Sequence, residues 1–294
     1  MADLERIQSR LENIRSVEPI LSALRTISLG SWQTAQKRRY AVHEYARRLM
    51  DILPAVAPHV PVPRQGQRTT TREAAASVVL VVGSERGLCG RFNRVVVDHG
   101  ISHMERLTER SIRCELVVLG TRVSRIMERL GHPADYTGRL SITTLPSFEI
   151  AQRFTEQWLR RYERYDIDTV DVVHNTYRGI GQYDPVIAQL IPPQLPPGSS
   201  AELWPPPIIE TDPLSLYLQV VRQWAAITLH ELLLNAAVAE HAARYQLMEG
   251  ASQNANRLIG ELTLLLHRAR QEAITREMQE LAAGAGLIGP RNKR

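Results

Sequence analysis

Cysteine and lysine are both scarce in this sequence, and the scarcity of cysteine excludes two kinds of site. The two cysteines among 294 residues, Cys89 and Cys114, are too few for a disulfide framework or a structural zinc site. A reducing compartment is therefore expected. Lysine occurs only at Lys37 and Lys293, so the basic residues are nearly all arginines, which suit contacts with carboxylates or phosphates. Genomic base composition is the alternative explanation for that bias.

Long apolar runs are also absent, and none approaches the roughly 20 residues needed to span a bilayer. The opening segment MADLERIQSRLENIR is charged with heptad spacing, which argues against a secretory signal or a transit peptide. The net charge of +5 is spread along the chain, without the dense basic cluster of a nucleic-acid binder. We therefore expect neither insertion into a bilayer nor binding to nucleic acid.

The N-terminal region predicts one long helix. Residues 3–53 contain no glycine except Gly30 and no proline except Pro19. Apolar residues step by three and four, as in a coiled coil, at Leu4, Ile7, Leu11 and Ile14. Beside Pro19, which predicts a kink, the apolar seam is expected to shift to Val17, Leu21, Leu24 and Ile27.

The C-terminal region predicts a second, longer helix, because no proline occurs from Leu214 to Leu287. One set of residues repeats every seven positions: Val238, Tyr245, Ser252, Ile259, Leu266 and Ala273. A complementary set is Met248, Ala255, Leu262 and Ala269. A helix of about 74 residues would be roughly 110 Å long, more than a core of this chain could enclose. The two terminal helices are therefore expected to pair, and the surplus length to contact a partner.

Between these helices, strand and helix patterns alternate, which predicts a mainly parallel sheet with helices on its faces. Strands are predicted at 77–82, 114–119, 169–175 and 186–191, and helices at 91–110, 122–130 and 147–165, the last with Ser147 as N-cap. Residues 191–213 hold eight prolines and predict a linker or surface arm. The predicted domains are a helix (1–53), a linker (54–76), an α/β domain (77–191), a proline-rich linker (192–213) and a helix with its tip (214–294).

The stretch GSERGLCGRFN, Gly83–Asn93, follows a strand and precedes a helix, as a phosphate cradle does. It lacks the Lys-Ser/Thr pair of a P-loop and the spacing of a dinucleotide fingerprint, so its glycines are expected to shape a tight turn with positive φ. Cys89 is expected to be a small buried residue. His99 and His103, at i and i+4, resemble half of a metal site, but no third ligand is indicated, so we expect them to be solvated or core histidines. We assign no catalytic, cofactor-binding or metal-ligating residue.

The C-terminal segment RARQEAITREMQELAAGAG (268–286) predicts a protein partner. Its arginines alternate with Glu272, Glu277 and Glu280, whereas a DNA-binding helix would lack such acids. Nothing in the chain is expected to bury Leu287 and Ile288, so the tip requires an apolar collar from another protein.

Four segments together resemble the gamma subunit of F-type ATP synthases. They are RLENIRSVEPILSALRTISLGSWQTAQ (10–36), SERGLCGRFN (84–93), AEHAARYQLMEGASQNA (239–255) and LTLLLHRARQEAITREMQELAAGAG (262–286). The similarity covers nearly the whole chain. Departures such as Pro19 and Ser22, where the family usually has lysines, indicate a divergent member.

The resemblance implies a long antiparallel coiled coil of the terminal helices, with a Rossmann-like α/β domain inserted between them. It implies a non-catalytic rotor shaft without a cofactor, at the cytoplasmic face of a coupling membrane. The shaft would couple rotation of the membrane c-ring to conformational changes of the catalytic β subunits. Its partners would be the α and β subunits of the hexamer, the epsilon subunit and the c-ring.

By position in the family's motifs, the resemblance also implies three groups of contact residues. Arg270, Gln271 and Thr275 would face the β-subunit catch loops; Arg10, Arg15 and Arg25 would face acidic β segments; Ala283, Leu287 and Ile288 would form the tip in its sleeve. For each arginine, a solvated helix face is the alternative. For the chain, the alternatives are an α/β nucleotide-binding enzyme with helical arms and a coiled-coil adaptor unrelated to ATPases.

Overall fold

The structure is a computed structural model that describes residues 2–56, 75–141, 144–193 and 208–284. Its elements in chain order are α1 (Ala2–Val56), β1 (Ala76–Val82), α2 (Phe92–Glu109), β2 (Arg113–Leu119), α3 (Thr121–Arg129), β3 (Tyr136–Gly138), α4 (Phe148–Glu163), β4 (Thr169–Gly179), β5 (Gln182–Ile191) and α5 (Pro213–Gly284). Their contacts define two units. Unit 1 comprises residues 1–27 with 246–294, and unit 2 comprises residues 28–245.

Unit 2 contains a five-stranded sheet in the order β3-β2-β1-β4-β5. The pairs β1–β2, β2–β3 and β1–β4 are parallel, and only β4–β5 is antiparallel. The central strand β1 is buried along its whole length, as the continuous apolar run SVVLVV predicts for a strand covered on both faces. The predicted Rossmann-like α/β domain between two long helices is confirmed.

Several elements differ in detail from the predictions, and β4 ends at Gly179, four residues later than predicted. Strand β3 was not predicted, because its three residues lie at an edge of the sheet and show no apolar pattern. Strand β5 begins four residues earlier than predicted and passes through Pro185, which an edge strand tolerates. Helix α1 continues through Pro54 to Val56, since both Leu53 and Val56 are buried.

Two hydrophobic cores cover the two faces of the sheet. The larger core contains Val78, Leu80 and Val82 of β1 and includes side chains of α4, α5 and the end of α1, such as Trp158 and Leu229. The smaller core contains Val79 and Val81, which pack against α2 and α3. The alternation of β1 side chains between the two cores follows from the two-residue period of a strand.

Helices α1 and α5 run antiparallel in unit 2: a residue further along α1 contacts a residue that comes earlier in α5. Arg39 donates to Asn235 Oδ1 at 3.4 Å, and His43 Nδ1 lies 2.7 Å from Glu231 Oε1. Helix α5 begins beside Asp212, whose carboxylate accepts the backbone N–H of Ser215 at 2.8 Å. Asp212 followed by Pro213 at the first helical position is a favourable helix start.

Unit 1 is also an antiparallel helix pair, with an apolar cluster of Leu11, Leu262 and Leu266. The predicted shift of the seam beside Pro19 is wrong at Val17, which is 47% exposed, and at Ile27, which is 64% exposed, whereas Leu21 and Leu24 are half-buried. The seam instead continues with steps of three and four residues from Leu11 and Ile14 to polar residues, Glu18 and Arg25. Ser252 Oγ donates to Glu18 at 3.2 Å, and the Arg25 guanidinium pairs with Glu249 at 2.9 Å. Hydrogen bonds thus replace apolar contacts in this part of the seam, which a search for apolar residues could not follow.

Candidate functional site: the first turn and the paired helices

The turn between β1 and α2 contains three glycines that serve different purposes. Gly90 has φ +60°, so the positive φ predicted for this turn is confirmed there. Gly83 lies against α3, where an added Cβ would come within 1.9 Å of Val123 Cγ2, so it allows a close approach of the two elements. Leu88 also adopts a positive φ, of 62°. The glycines at positions 83 and 90 are therefore explained by backbone geometry and packing.

Polar groups of this turn are bonded to one another. Asn93 Oδ1 accepts the Ser84 backbone N–H at 2.9 Å, and Asn93 Nδ2 donates to Ser84 Oγ at 2.8 Å. Ser84 Oγ in turn donates to the Arg86 carbonyl at 2.6 Å. The Glu85 carboxylate accepts the Leu140 N–H at 2.6 Å and bonds Thr121, the first residue of α3. The Glu85 carboxylate thus occupies the N-terminus of α3, where the helix dipole favours a negative charge.

The cysteine and histidines near this turn have structural roles. Cys89 is buried as predicted, and burial raises the pKa of its thiol, which disfavours the reactive thiolate. His103 Nε2 lies 2.8 Å from Asp171 Oδ2 in a mostly buried pair. Burial is the main cause that lowers the pKa of His99, and the nearby Arg106 and His103 lower it further. Within the described ranges, no group of three or more potential ligands could hold a metal ion.

Helix α5 is attached to the turn by a buried arginine that the sequence analysis did not single out. Arg244 Nε donates to the Gly87 carbonyl at 3.3 Å, and Arg244 Nη2 donates to the Arg86 carbonyl at 3.2 Å. Nη2 also pairs with Glu240 at 2.6 Å. Nη1 lies 3.3 Å from His241 Nδ1, which accepts its hydrogen bond. Burial, and to a smaller extent the charge of Arg244, lowers the pKa of His241 to about 4, so the ring is neutral. The signal available in the sequence was a charged pair inside the alanine-rich segment AEHAAR.

The proposed β-contact residues on α5 lie on its exposed surface in unit 1. Arg270, Gln271 and Thr275 are all exposed, and Thr275 Oγ1 donates to the Gln271 carbonyl at 2.8 Å within the helix. Ala283 is exposed near the end of α5. Leu287 and Ile288 lie outside the described residues.

The three arginines of α1 are not equivalent. Arg10 and Arg15 are exposed on the helix surface. Arg25 is half-buried, and its guanidinium is paired with Glu249 of α5. A partner that approached Arg25 would therefore compete with, or share, an existing ion pair, whereas Arg10 and Arg15 present their side chains outward.

Unit 1 exposes apolar side chains both beside its seam and where α5 extends past the start of α1. On α1 these are Val17, Ile20 and Ile27, and on α5 they are Leu264, Leu265, Ile274, Met278 and Leu281. Met278 is 66% exposed and Leu281 is 74% exposed. Several large apolar side chains exposed on one helix pair indicate a surface that another protein covers. In the described part of the chain, no helix has the length and apolarity required to cross a membrane.

Comparison with known proteins gives matches over nearly the whole length. The family model described as ATP synthase matches residues 3–286. The ATP synthase gamma chain of Rubrobacter xylanophilus is 29% identical, with 98% of this chain and 99% of the relative covered. The ATP synthase gamma chain of a Synechococcus strain is 27% identical, with the same coverage.

Solved structures share the fold at low identity. A chain in the mitochondrial ATP synthase of Euglena gracilis, described as OSCP/F1/c-ring, gives a TM-score of 0.60 at 15% identity, covering 100% of this chain and 99% of that one. A chain in the central stalk and c-ring structure of the Tetrahymena thermophila mitochondrial ATP synthase gives 0.55 at 18% identity, covering 79% and 99%. The likeness supports a fold with long helices at both ends of the chain and an α/β sheet between them in sequence.

Proposed function

Since the chain belongs to the family described as ATP synthase, we propose that it is the gamma-type rotor shaft of such a complex. The shaft couples rotation of a membrane c-ring to conformational changes of the catalytic β subunits. Its partners are the α and β subunits, an epsilon subunit and the c-ring, and it lies at the cytoplasmic face of the coupling membrane. The names of its relatives and the central-stalk setting of the similar structures support this assignment.

The observation that carries the proposal is the apolar exterior of unit 1. A helix pair standing in water would place its apolar residues in the seam and polar residues outside. Here Val17, Ile20 and Ile27 are exposed while Glu18 and Arg25 lie in the seam, and α5 exposes Met278 and Leu281 where it extends past the start of α1. Enclosure of this pair within a ring of partner subunits would bury those side chains, as a shaft inside a hexamer requires.

We propose that the subunit performs no bond chemistry itself. The turn that most resembles a phosphate cradle contains Glu85, whose carboxylate binds the start of α3 and would repel a phosphate placed beside it. Its neighbouring thiol, on Cys89, is buried and protonated rather than activated. The competing function, an α/β nucleotide-binding enzyme, therefore gains no support from this turn.

The contact residues remain part of the same proposal. Arg270, Gln271 and Thr275 would meet the β catch loops, where exposed polar bonds of modest strength can form and break at each step. Arg10 and Arg15 would meet acidic β segments directly, and Arg25 would do so while paired with Glu249. Ala283, Leu287 and Ile288 would form the tip in an apolar sleeve.

Co-expression with the α and β subunits of the same organism tests the proposal. We expect a stable complex that contains one copy of this chain and that couples ATP hydrolysis to ion pumping once the membrane sector is added. A chain that stays monomeric beside an assembled hexamer would refute the rotor assignment.

Truncation tests the tip separately. A chain shortened from Ala282 onward should still assemble but should give lower torque or a less stable complex, because many weak contacts share the load. Assembly, stability and coupled rotation all equal to those of the full chain would show that the tip assignment is wrong.

A further inference from the structure

In a rotor, the contact between α5 and the turn that joins β1 to α2 would have to carry torque. Torque that enters a shaft at one part and leaves at another must cross the contacts that fix the parts together. In unit 2, α5 contacts the turn region through Ala239 and Ala243, which pack with Cys89 and Phe92. Apolar contact of this kind is non-directional, and alanine side chains leave a nearly smooth helix surface. Such a contact resists separation more than it resists sliding.

Arg244 supplies a directional contact at the same place. Its guanidinium reaches two consecutive carbonyls of the turn, those of Arg86 and Gly87, and it is fixed on its own helix by Glu240. The Arg244 side chain is only 11% exposed, so water competes weakly for these bonds. Hydrogen bonds with a charged donor are roughly twice as strong as those between neutral groups.

The point to which Arg244 binds is itself braced. The Arg86 carbonyl also accepts from Ser84 Oγ, and Ser84 is held by Asn93 of α2. The adjacent Glu85 holds the start of α3 and the backbone at Leu140. A force applied to the turn is therefore distributed to several elements of the sheet domain instead of deforming a single loop.

We propose that Arg244 is a positioning residue that fixes α5 to the first turn against sliding. Together with the larger core and the bond from Asn235 to Thr176, it transmits torque between α5 and the α/β domain. This inference rests on the proposed rotor function. It assigns to the buried arginine a role inside its own chain, distinct from the proposed contacts of the shaft with β subunits.

The test uses the complete complex with Arg244→Met, which keeps most of the side-chain volume and removes every hydrogen bond. Two quantities are measured: exchange of the Ser84 and Phe92 amides, which donate to Asn93 Oδ1 and to the Cys89 carbonyl, and the number of ions pumped per ATP hydrolysed. We expect about ten-fold faster exchange, because the turn loses charge-assisted bonds. We expect the pumping ratio to fall about two-fold while ATP hydrolysis continues, because slippage uncouples the two events.

Two further variants serve as controls. Arg257→Met removes an exposed pair with Glu261 on the same helix and should leave both quantities at the wild-type value. Arg244→Lys keeps the charge but loses the planar fork, so intermediate values are expected for both. The pumping ratio is calculated per assembled complex, so a purely stabilising role of Arg244 would change the yield and not the ratio.

The outcomes are distinct. Two results for Arg244→Met would overturn the inference. One is amide exchange at the wild-type rate, and the other is faster amide exchange with an unchanged number of ions pumped per ATP. Should that variant fail to assemble, Arg244→Lys decides, and wild-type values for it overturn the inference. A wild-type complex that assembles but does not couple would instead refute the proposed function.

Discussion

The buried imidazole of His174 gives the fold a defined sensitivity to acid. Its side chain lies on β4 and is 1% exposed, and its Nδ1 has no hydrogen-bond partner among the described residues. Burial lowers the pKa of His174 from 6.5 to about 4. The folded protein therefore keeps the ring neutral at pH values where the unfolded chain already binds a proton. Stability is complete above the unfolded pKa of 6.5 and is lost as the pH falls towards 4.

The magnitude follows from the size of the pKa difference. One pKa unit corresponds to about 1.4 kcal/mol, so the whole window is equivalent to about 3 kcal/mol of unfolding free energy. Between pH 7 and pH 5, the loss attributable to His174 is about 2 kcal/mol. That is a substantial part of the 5–15 kcal/mol that is typical of natural domains.

Replacement of His174 by leucine removes the titrating group and the unpaired nitrogen together. Urea unfolding of the full chain at pH 7, 6 and 5 can be followed by tryptophan fluorescence, since Trp158 and Trp224 lie in the larger core. The variant should lose about 2 kcal/mol less than the wild type between pH 7 and pH 5. His267→Leu, at an exposed position of α5, should keep the wild-type pH dependence. Equal losses in the His174 variant and the wild type would refute the reasoning.

Two further predictions concern packing in each unit. Gly83→Ala should lower the unfolding free energy by about 1–3 kcal/mol, because its Cβ would overlap the buried Val123; Gly250→Ala, with open space around it, should instead stabilise by up to about 1 kcal/mol, and urea midpoints compare the two. Leu262→Ala should lower the stability of the helix pair by about 2–4 kcal/mol and melt it at a lower temperature by circular dichroism, whereas Leu264→Ala, at an exposed site, should change it by less than about 0.5 kcal/mol. Equal effects in either pair of variants would contradict the packing described.

The strands of the central sheet could be predicted where burial dominates the pattern. β1 is apolar from Val78 to Val82 and β2 from Leu116 to Leu119, so the positions of both strands followed from these runs. Strand β3 could not be predicted, since a three-residue edge strand depends on its neighbour β2 for its hydrogen bonds. The early start of β5 also escaped prediction, because hairpin pairing with β4 around Gly181 at φ +69° extends the strand through polar residues.

The attachment of α5 to the turn could not be predicted from the sequence for a different reason. Arg244 binds backbone carbonyls more than 150 positions away, and a carbonyl carries no sequence signal. The motif around the turn was recognised, and so was the segment that contains Arg244. Their mutual contact arises only from the packing of α5 beside the end of β1, which tertiary structure determines.

The polar seam of unit 1 departs from the usual pattern of a helix pair, in which apolar residues lie in the seam and polar residues lie outside. Hydrophobic burial inside the seam stabilises an isolated helix pair, yet Glu18 and Arg25 occupy seam positions while Val17 and Ile27 face outward. The pair therefore gains less from its own association than a uniformly apolar seam would give. Binding to a partner that covers the outer apolar residues adds stability by mass action. The helix pair of unit 1 should consequently be more stable inside its complex than in the isolated chain, which suits a shaft whose outer surface must contact subunits on every side.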